Sequence, residues 1–206
     1  MGGLLVLFLL GFYVWGAYKI VRWIKPVWGK ALVLVAVLLI PTADAVYGRI
    51  KLKQMCETEG GLKIYKTAQW VEGFRDGRSR PEEEWVIRYG YRFVEGEGAN
   101  GKPARVSRQA NGTVRMENNI TPISRYAFER EGNDIGHGFR SGEYRVVDIV
   151  TNERLGVYIN FGYEGGWIER FVAEIYAAKG FAGDCGFGDS WQITLKLIQT
   201  TLKTGE

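Results

Sequence analysis

The first 47 residues do most to limit what this chain can fold into. Two apolar runs, "LLVLFLLGFYVWGAYKIVRWI" (Leu4–Ile24) and "ALVLVAVLLIPTADAVYG" (Ala31–Gly48), are separated only by "KPVWGK". The first has about 21 residues, close to the ~20 that a helix needs to cross the hydrocarbon core of a bilayer. The second, about 17 residues to Tyr47, is short but adequate. Lys19 and Arg22 fall in the last turns of the first run, where long side chains snorkel to headgroups. Tyr13, Trp15, Tyr18 and Trp23 suit an interfacial belt. Pro41 is tolerated in a membrane helix and kinks it. Residues 1–47 are therefore expected to form a two-helix transmembrane hairpin, with the lipid bilayer as its partner.

The end of the second run has two readings. Ala43-Asp44-Ala45 fits the small-x-small pattern of export-signal cleavage, and Lys30 with "ALVLVAVLLI" supplies the basic and apolar regions that precede such a site. A complete helix in front argues instead for an uncleaved hairpin. The chain then continues as a helical stalk over residues 48–61, with Val46, Ile50 and Lys53 on one face and Gly60-Gly61 as its stop. Both readings export the chain beyond residue 48. Basic residues favour the same side: none lies in Met1–Gly3, whereas Lys19, Arg22, Lys25 and Lys30 surround the turn, which places the turn in the cytoplasm. Arg49, Lys51 and Lys53 pull the other way. The opposite topology would leave a cytoplasmic domain with free thiols.

The net charge of +4 is concentrated in the apolar region. Of 27 basic and 23 acidic residues, four basic ones and Asp44 lie before Gly48, leaving 23 basic and 22 acidic residues beyond it. There Arg and Lys alternate with Glu and Asp, as on a solvated surface. Nucleic-acid binding, which concentrates positive charge on one face, is not expected.

The chain has two cysteines, Cys56 and Cys185. In an exported domain they are a natural disulfide pair, closing a loop of about 130 residues that the chain-entropy model values at roughly 4–5 kcal/mol. Two unrelated buried thiols are the plain alternative. Neither cysteine has a histidine or second cysteine at metal-ligand spacing, and no metal or other cofactor is expected.

After Gly61 the periodicity changes from 3.6 to 2. "LKIYKTA", "EWVIRYGYRFVEG", "ISRYAFERE", "EYRVVDIV" and "LGVYINFGY" alternate as strands. Thr151-Asn152-Glu153 reads as a turn. Asn111-Gly112 between "PARVSRQA" and "TVRMEN" reads as a type I′ hairpin turn. "GGWIERFVAEIYAAKG" reads as a helix with Gly180 at its stop. "DSWQITLKLIQTTLK" reads as a helix capped by Asp189 or Ser190, although "QITLKL" also alternates. Residues 62–206 are thus expected to form an exported α+β domain, an antiparallel β-sheet with C-terminal helices. Trp70, Trp85, Trp167 and Trp191 are expected in its core, with a minority of the aromatics lining a groove or meeting the outer leaflet. Trp85, Tyr89, Tyr91 and Phe93, placed on one face of the second strand, are the candidate partner-binding residues.

Signals for chemistry are sparse. His137 is the only histidine and sits in "GNDIGHGFRSGEY" beside Asp134 and Ser141. A periplasmic hydrolase centred on His137, Asp134 and Ser141 is one reading, but a triad normally draws its members from separate elements. A glycine-rich hairpin loop with a solvated histidine explains the stretch more simply. Glu82-Glu83-Glu84 reads as a charged loop, and Glu169 with Glu174 as the polar side of a helix. No phosphate loop, zinc-binding helix or CxxC is present.

The segments "PTADAVYGR", "CETEGGLKIYKT", "YRVVDIVTNERLG" and "FGYEGGWIERF" together resemble small uncharacterised inner-membrane proteins of proteobacteria. That resemblance implies a bacterial inner-membrane anchor with an exported domain and adds no catalytic residue. The expected function is a non-enzymatic envelope protein. Its periplasmic domain would bind a protein, as an accessory subunit of an envelope or secretion assembly or as an inhibitor of an incoming effector.

Overall fold

The structure, a computed structural model, describes residues 2–77, 80–98, 101–175, 182–185 and 190–205. The fold is α+β, and the chain divides into two compact units. One comprises Met1–Gln54, His137–Phe139 and Gly162–Gly183; the other comprises Met55–Gly136, Arg140–Phe161 and Asp184–Glu206.

The first unit is built on an antiparallel pair of helices, α1 (Gly2–Trp23) and α2 (Val27–Thr58). Pro26 sits just before α2, and its carbonyl accepts the first helical bond, from the Lys30 amide. A fixed φ and no needed N–H make proline suitable there. Large apolar side chains such as Phe12, Val14, Trp23, Leu32 and Leu39 are exposed on both helices rather than packed inside the protein. Among the described residues no single helix is long and apolar enough to cross a membrane. The two arms of α2, Val27–Val37 and Thr42–Thr58, bent by 53°, meet that test of length and composition together. The first expected span begins in residues 4–10, whose side chains lie outside the described ones. The expected stalk is helical, and α2 ends where Glu59 and Gly60 both donate to the Met55 carbonyl.

The second unit holds most of a sheet that has nine strands among the described residues. In chain order its strands are β1 (Gly61–Ile64), β2 (Gly73–Asp76), β3 (Phe93–Glu97), β4 (Pro103–Arg108), β5 (Val114–Asn118), β6 (Tyr126–Gly136), β7 (Phe139–Asp148), β8 (Glu153–Tyr163) and β9 (Gly183–Asp184). Their order across the sheet is β1-β8-β7-β6-β2-β3-β4-β5, with β9 also on β8. The sheet is mixed, not purely antiparallel as expected: β2 runs parallel to both β3 and β6. The cause is the crossover between β2 and β3, which carries a one-turn helix, α3 (Glu84–Ile87), and so returns the chain in the same direction.

That helix also overturns the expected strand "EWVIRYGYRFVEG". The Val86 and Ile87 amides donate to the Glu83 carbonyl, so Trp85 lies on a helical turn, and only Phe93 onward is a strand. Trp85 and Tyr91 are buried at 0% and 1% exposure, Phe93 is buried and Tyr89 half-buried. Trp85, Tyr91 and Phe93 are thus core residues, and Tyr89 packs half-buried against that core. Phe74 packs edge-on against Trp85 and Tyr91, with ring centroids 5.3 and 5.0 Å apart, and Tyr91 donates its hydroxyl to the Leu202 carbonyl at 2.7 Å. Burial pushes the Tyr91 hydroxyl well above its ordinary pKa.

The ambiguous C-terminal stretch is a helix, α5 (Ser190–Thr201), with Leu197, Ile198 and Thr201 buried. Asp189, one of its expected caps, and Gly180 lie outside the described residues, as does the side chain of Ser190. Three of the four tryptophans assigned to the core are not buried: Trp191, Trp167 and Trp70 are 38%, 44% and 76% exposed. The β4–β5 hairpin is present, but its turn is not type I′. Gly112 alone has positive φ (+82°), and Gln109 bonds both the Gly112 amide and the Thr113 carbonyl. This is a type I turn followed by a glycine bulge.

The two cysteines are joined. Cys56 and Cys185 form a disulfide within the second unit, with Cα atoms 6.0 Å apart, linking the C-terminal end of α2 to the chain beyond β9.

Candidate functional site

A polar cavity of the first unit is built on one face of α2. Asp44, Gly48 and Lys51 recur at helical spacing there. Gly48 is required by a close approach: a Cβ at that position would lie 2.1 Å from the ring of Tyr163, the last residue of β8. The Tyr163 hydroxyl donates to the Asp44 carbonyl at 3.1 Å.

Beyond Tyr163 the chain enters α4 (Trp167–Ile175) through Glu164-Gly165-Gly166. Gly166 precedes the helix but has no side chain to cap it. The cap comes from α2. Asp44 accepts from the Trp167 amide through Oδ2 at 2.7 Å and from the Ala45 amide through Oδ1 at 2.8 Å. Glu169 completes the arrangement, accepting from the Gly166 amide at 2.9 Å and pairing with Arg49. A side chain on Gly166 would meet Asp44 Oδ1 at 2.7 Å and the Ala45 methyl at 2.9 Å. The small residues of Ala43-Asp44-Ala45 thus lie inside a helix, where Asp44 and Ala45 pack against the start of α4.

The third wall comes from the β6–β7 turn. His137 and Gly138 are its two central residues, both at positive φ (+54° and +79°), which makes it type I′. Its Gly138 carbonyl accepts from the Glu164 amide at 2.8 Å. Phe139 stacks on Tyr163 at 4.7 Å, and the Lys51 ammonium lies 5.1 Å from the Phe139 ring centre. The result is a cavity of about 440 Å³ lined by Asp44, Tyr47, Gly48, Lys51, His137, Phe139, Tyr163 and Arg170.

Asp44 is the one acid on this wall, and both its oxygens are held by backbone amides. Among the described residues no carboxylate pairs with Lys51 or Arg170. Burial, then the charges of Asp44 and Glu169, raise the pKa of the Tyr163 hydroxyl, opposed by Arg170 and Arg49, so it stays protonated and donates. The cavity therefore presents Lys51 and Arg170 to whatever enters, while the Tyr163 hydroxyl is committed to the Asp44 carbonyl. His137 is exposed on its wall, but Asp134 and Ser141 do not line it. Asp134 uses Oδ1 to accept from the Gly136 amide at 2.8 Å, capping its own turn, and Ser141 is half-buried in β7.

A second cavity, about 290 Å³, lies in the other unit between Arg75, Asp76, Glu95 and Glu97. Its buried carboxylate, Glu95, is already saturated. Burial alone would raise its pKa, but hydrogen bonds from Ser124, from Arg105 and from the Ile123 and Ser124 amides hold it below the ordinary range. Glu95 is a clamp on the loop before β6 and has no lone pair left for a ligand.

Sequence reasoning found His137 but missed Lys51, Tyr163 and Arg170. The available signal was Gly165-Gly166 directly before an amphipathic helix: a helix start with no capping side chain has to borrow one. Compared with protein-family models, with curated proteins and with solved structures, the chain matches none.

Proposed function

We propose that this is a membrane-anchored envelope protein whose exported domain binds a protein partner and performs no chemistry of its own. The α1–α2 hairpin is the anchor, in a bacterial inner membrane, with the N-terminus and the folded domain on the periplasmic side. The observation that carries the reading is the disulfide. The chain's two cysteines are bridged through the last turn of α2, and such bridges persist in oxidising compartments. The apolar side chains exposed along both helices support the anchor. The partner would be a component of an envelope or secretion assembly, or an incoming effector to be inhibited.

With the aromatic set Trp85, Tyr91 and Phe93 buried, recognition passes to Trp70. This residue is 76% exposed and held at φ +61°, a conformation that bulky side chains rarely adopt. Strained, exposed aromatic residues of this kind are what binding surfaces use as anchors.

The test is labelling of intact cells with a membrane-impermeant maleimide, before and after reduction. Labelling of Cys56 and Cys185 only after reduction is expected. Free thiols that label only after lysis would put the domain in the cytoplasm and overturn the reading.

A further inference from the structure

We propose that the cavity between α2, the His137-Gly138 turn and α4 binds a phosphate ester, with an anionic phospholipid headgroup as the favoured source. This rests on the membrane anchor proposed above. Three features of the cavity lead to it.

The first is charge. Lys51 and Arg170 face the same 440 Å³ space without a carboxylate partner among the described residues, and the one acid there, Asp44, is occupied by the Trp167 and Ala45 amides. An ammonium and a guanidinium together provide a point charge and a planar fork, the pairing that suits a tetrahedral oxyanion. His137 adds an imidazole to the same wall, and the Tyr163 hydroxyl, which donates to the Asp44 carbonyl, keeps an oxygen there.

The second is shape. Gly48 and the stacked rings of Phe139 and Tyr163 line the cavity as well, and the Lys51 ammonium lies 5.1 Å from the Phe139 ring centre. A cavity of several hundred Å³ is ample for a headgroup.

The third is position. Asp44, Tyr47 and Lys51 come directly after the apolar arm of α2, and Val46, Tyr47, Ile50 and Trp167 are exposed around them. In a chain anchored by α1 and α2 this level is the headgroup region, where basic pockets collect anionic lipid.

The experiment uses the full chain reconstituted in nanodiscs of phosphatidylcholine, with and without phosphatidylglycerol, and native mass spectrometry to count retained lipid. The wild type is expected to retain phosphatidylglycerol over phosphatidylcholine at least tenfold. A Lys51→Gln/Arg170→Gln variant loses that preference, and an Arg88→Gln/Arg92→Gln variant of equal net charge keeps it. Both variants are compared at intact disulfide and unchanged Tm. Should the first be unstable, His137→Gly replaces it, because glycine suits positive φ, and a severalfold loss of preference is expected.

A parallel titration with inorganic phosphate separates the sources. Phosphate binding that disappears in the variant, without any lipid preference, assigns the site to a soluble phosphate ester. The proposal is overturned if wild type and variant are indistinguishable for both lipid and phosphate. Nanodisc binding does not depend on which side of the cell membrane the domain occupies. A failed maleimide topology would therefore leave this result standing, and a failed titration would leave the topology standing.

Discussion

Tyr13 donates its hydroxyl to the carbonyl oxygen of Val37 at 2.7 Å. Val37 is the residue whose carbonyl would be bonded by the amide of residue 41, and residue 41 is a proline with no N–H. The bend in α2 therefore opens an acceptor, and a side chain from α1 fills it. In a lipid environment such an acceptor has no water to turn to. Tyr13→Phe should cost about 1 kcal/mol of hairpin stability. In a Pro41→Ala background, where the helix supplies its own N–H, the same change should cost almost nothing. Equilibrium unfolding of the four proteins in detergent micelles measures this, and equal costs in both backgrounds would sink the idea.

The cap on α4 gives a second prediction. Asp44→Ala removes the acceptor for the Trp167 amide and should destabilise by about 1–2 kcal/mol. Gly166→Ala forces a methyl against Asp44 and Ala45 and should cost about 1–3 kcal/mol by overpacking. Because residues 43–45 are helical and partly packed, chain isolated from cells should keep them joined to Val46. An intact mass beginning at Val46 would contradict this.

Glu95 should make stability pH-dependent in a defined direction. Its folded pKa is lowered from the ordinary 4.5, so its contribution is present above pH 4.5 and disappears as pH falls through the lowered folded value. Glu95→Gln should cost about 3 kcal/mol at pH 7, since it breaks a buried charged network. Denaturation at pH 7, 5, 4 and 3 should show wild type and variant converging in acid. A constant difference across that range would assign the loss to packing instead.

Trp70 should reverse an ordinary rule. At φ +61° an L-residue pays about 1–2 kcal/mol that glycine does not. Trp70→Gly should therefore be more stable than Trp70→Ala by about 1 kcal/mol, judged by Tm. Both should keep the disulfide. Alanine proving the more stable would mean that the segment relaxes out of this conformation.

Replacing both cysteines, as Cys56→Ser/Cys185→Ser, should cost about 5 kcal/mol in the chain-entropy view of a 129-residue separation. Reduced wild type should match the variant in chemical denaturation. If oxidised wild type matches it as well, the bridge adds no stability.

Much of this fold could be read from residue patterns, because local chemistry and final structure agree there. The turn at Asn152 forms where its turn residues place it, α2 runs on to Thr58 just before Gly60-Gly61, and α5 takes the helical one of its two periodicities. The stretch from Trp85 to Phe93 failed because its alternation is accidental. Residues 85 and 91 reach one core from a helical turn and from the connection after it, and a period of two matches both without any strand. Parallel pairing of β2 is a tertiary choice that no local residue records. The cavity was hidden for a similar reason. Its cations, Lys51 and Arg170, are 119 positions apart in the chain, and each alone looks like a solvated charge. The hints to it were indirect: Asp44, an acid in an otherwise apolar run, and Gly165-Gly166, a helix start without a capping side chain.

The Cys56–Cys185 bridge also decides how the molecule bears tension. Cys56 belongs to the last turn of α2 and Cys185 lies just ahead of α5, so every strand from β1 to β9 falls within the loop that the bridge closes. A pull applied between α2 and α5 would run from sulfur to sulfur and bypass the sheet. The β-sheet need not resist such a load by its hydrogen bonds, and a tug on the C-terminal helix would reach α2 without unravelling the strands between.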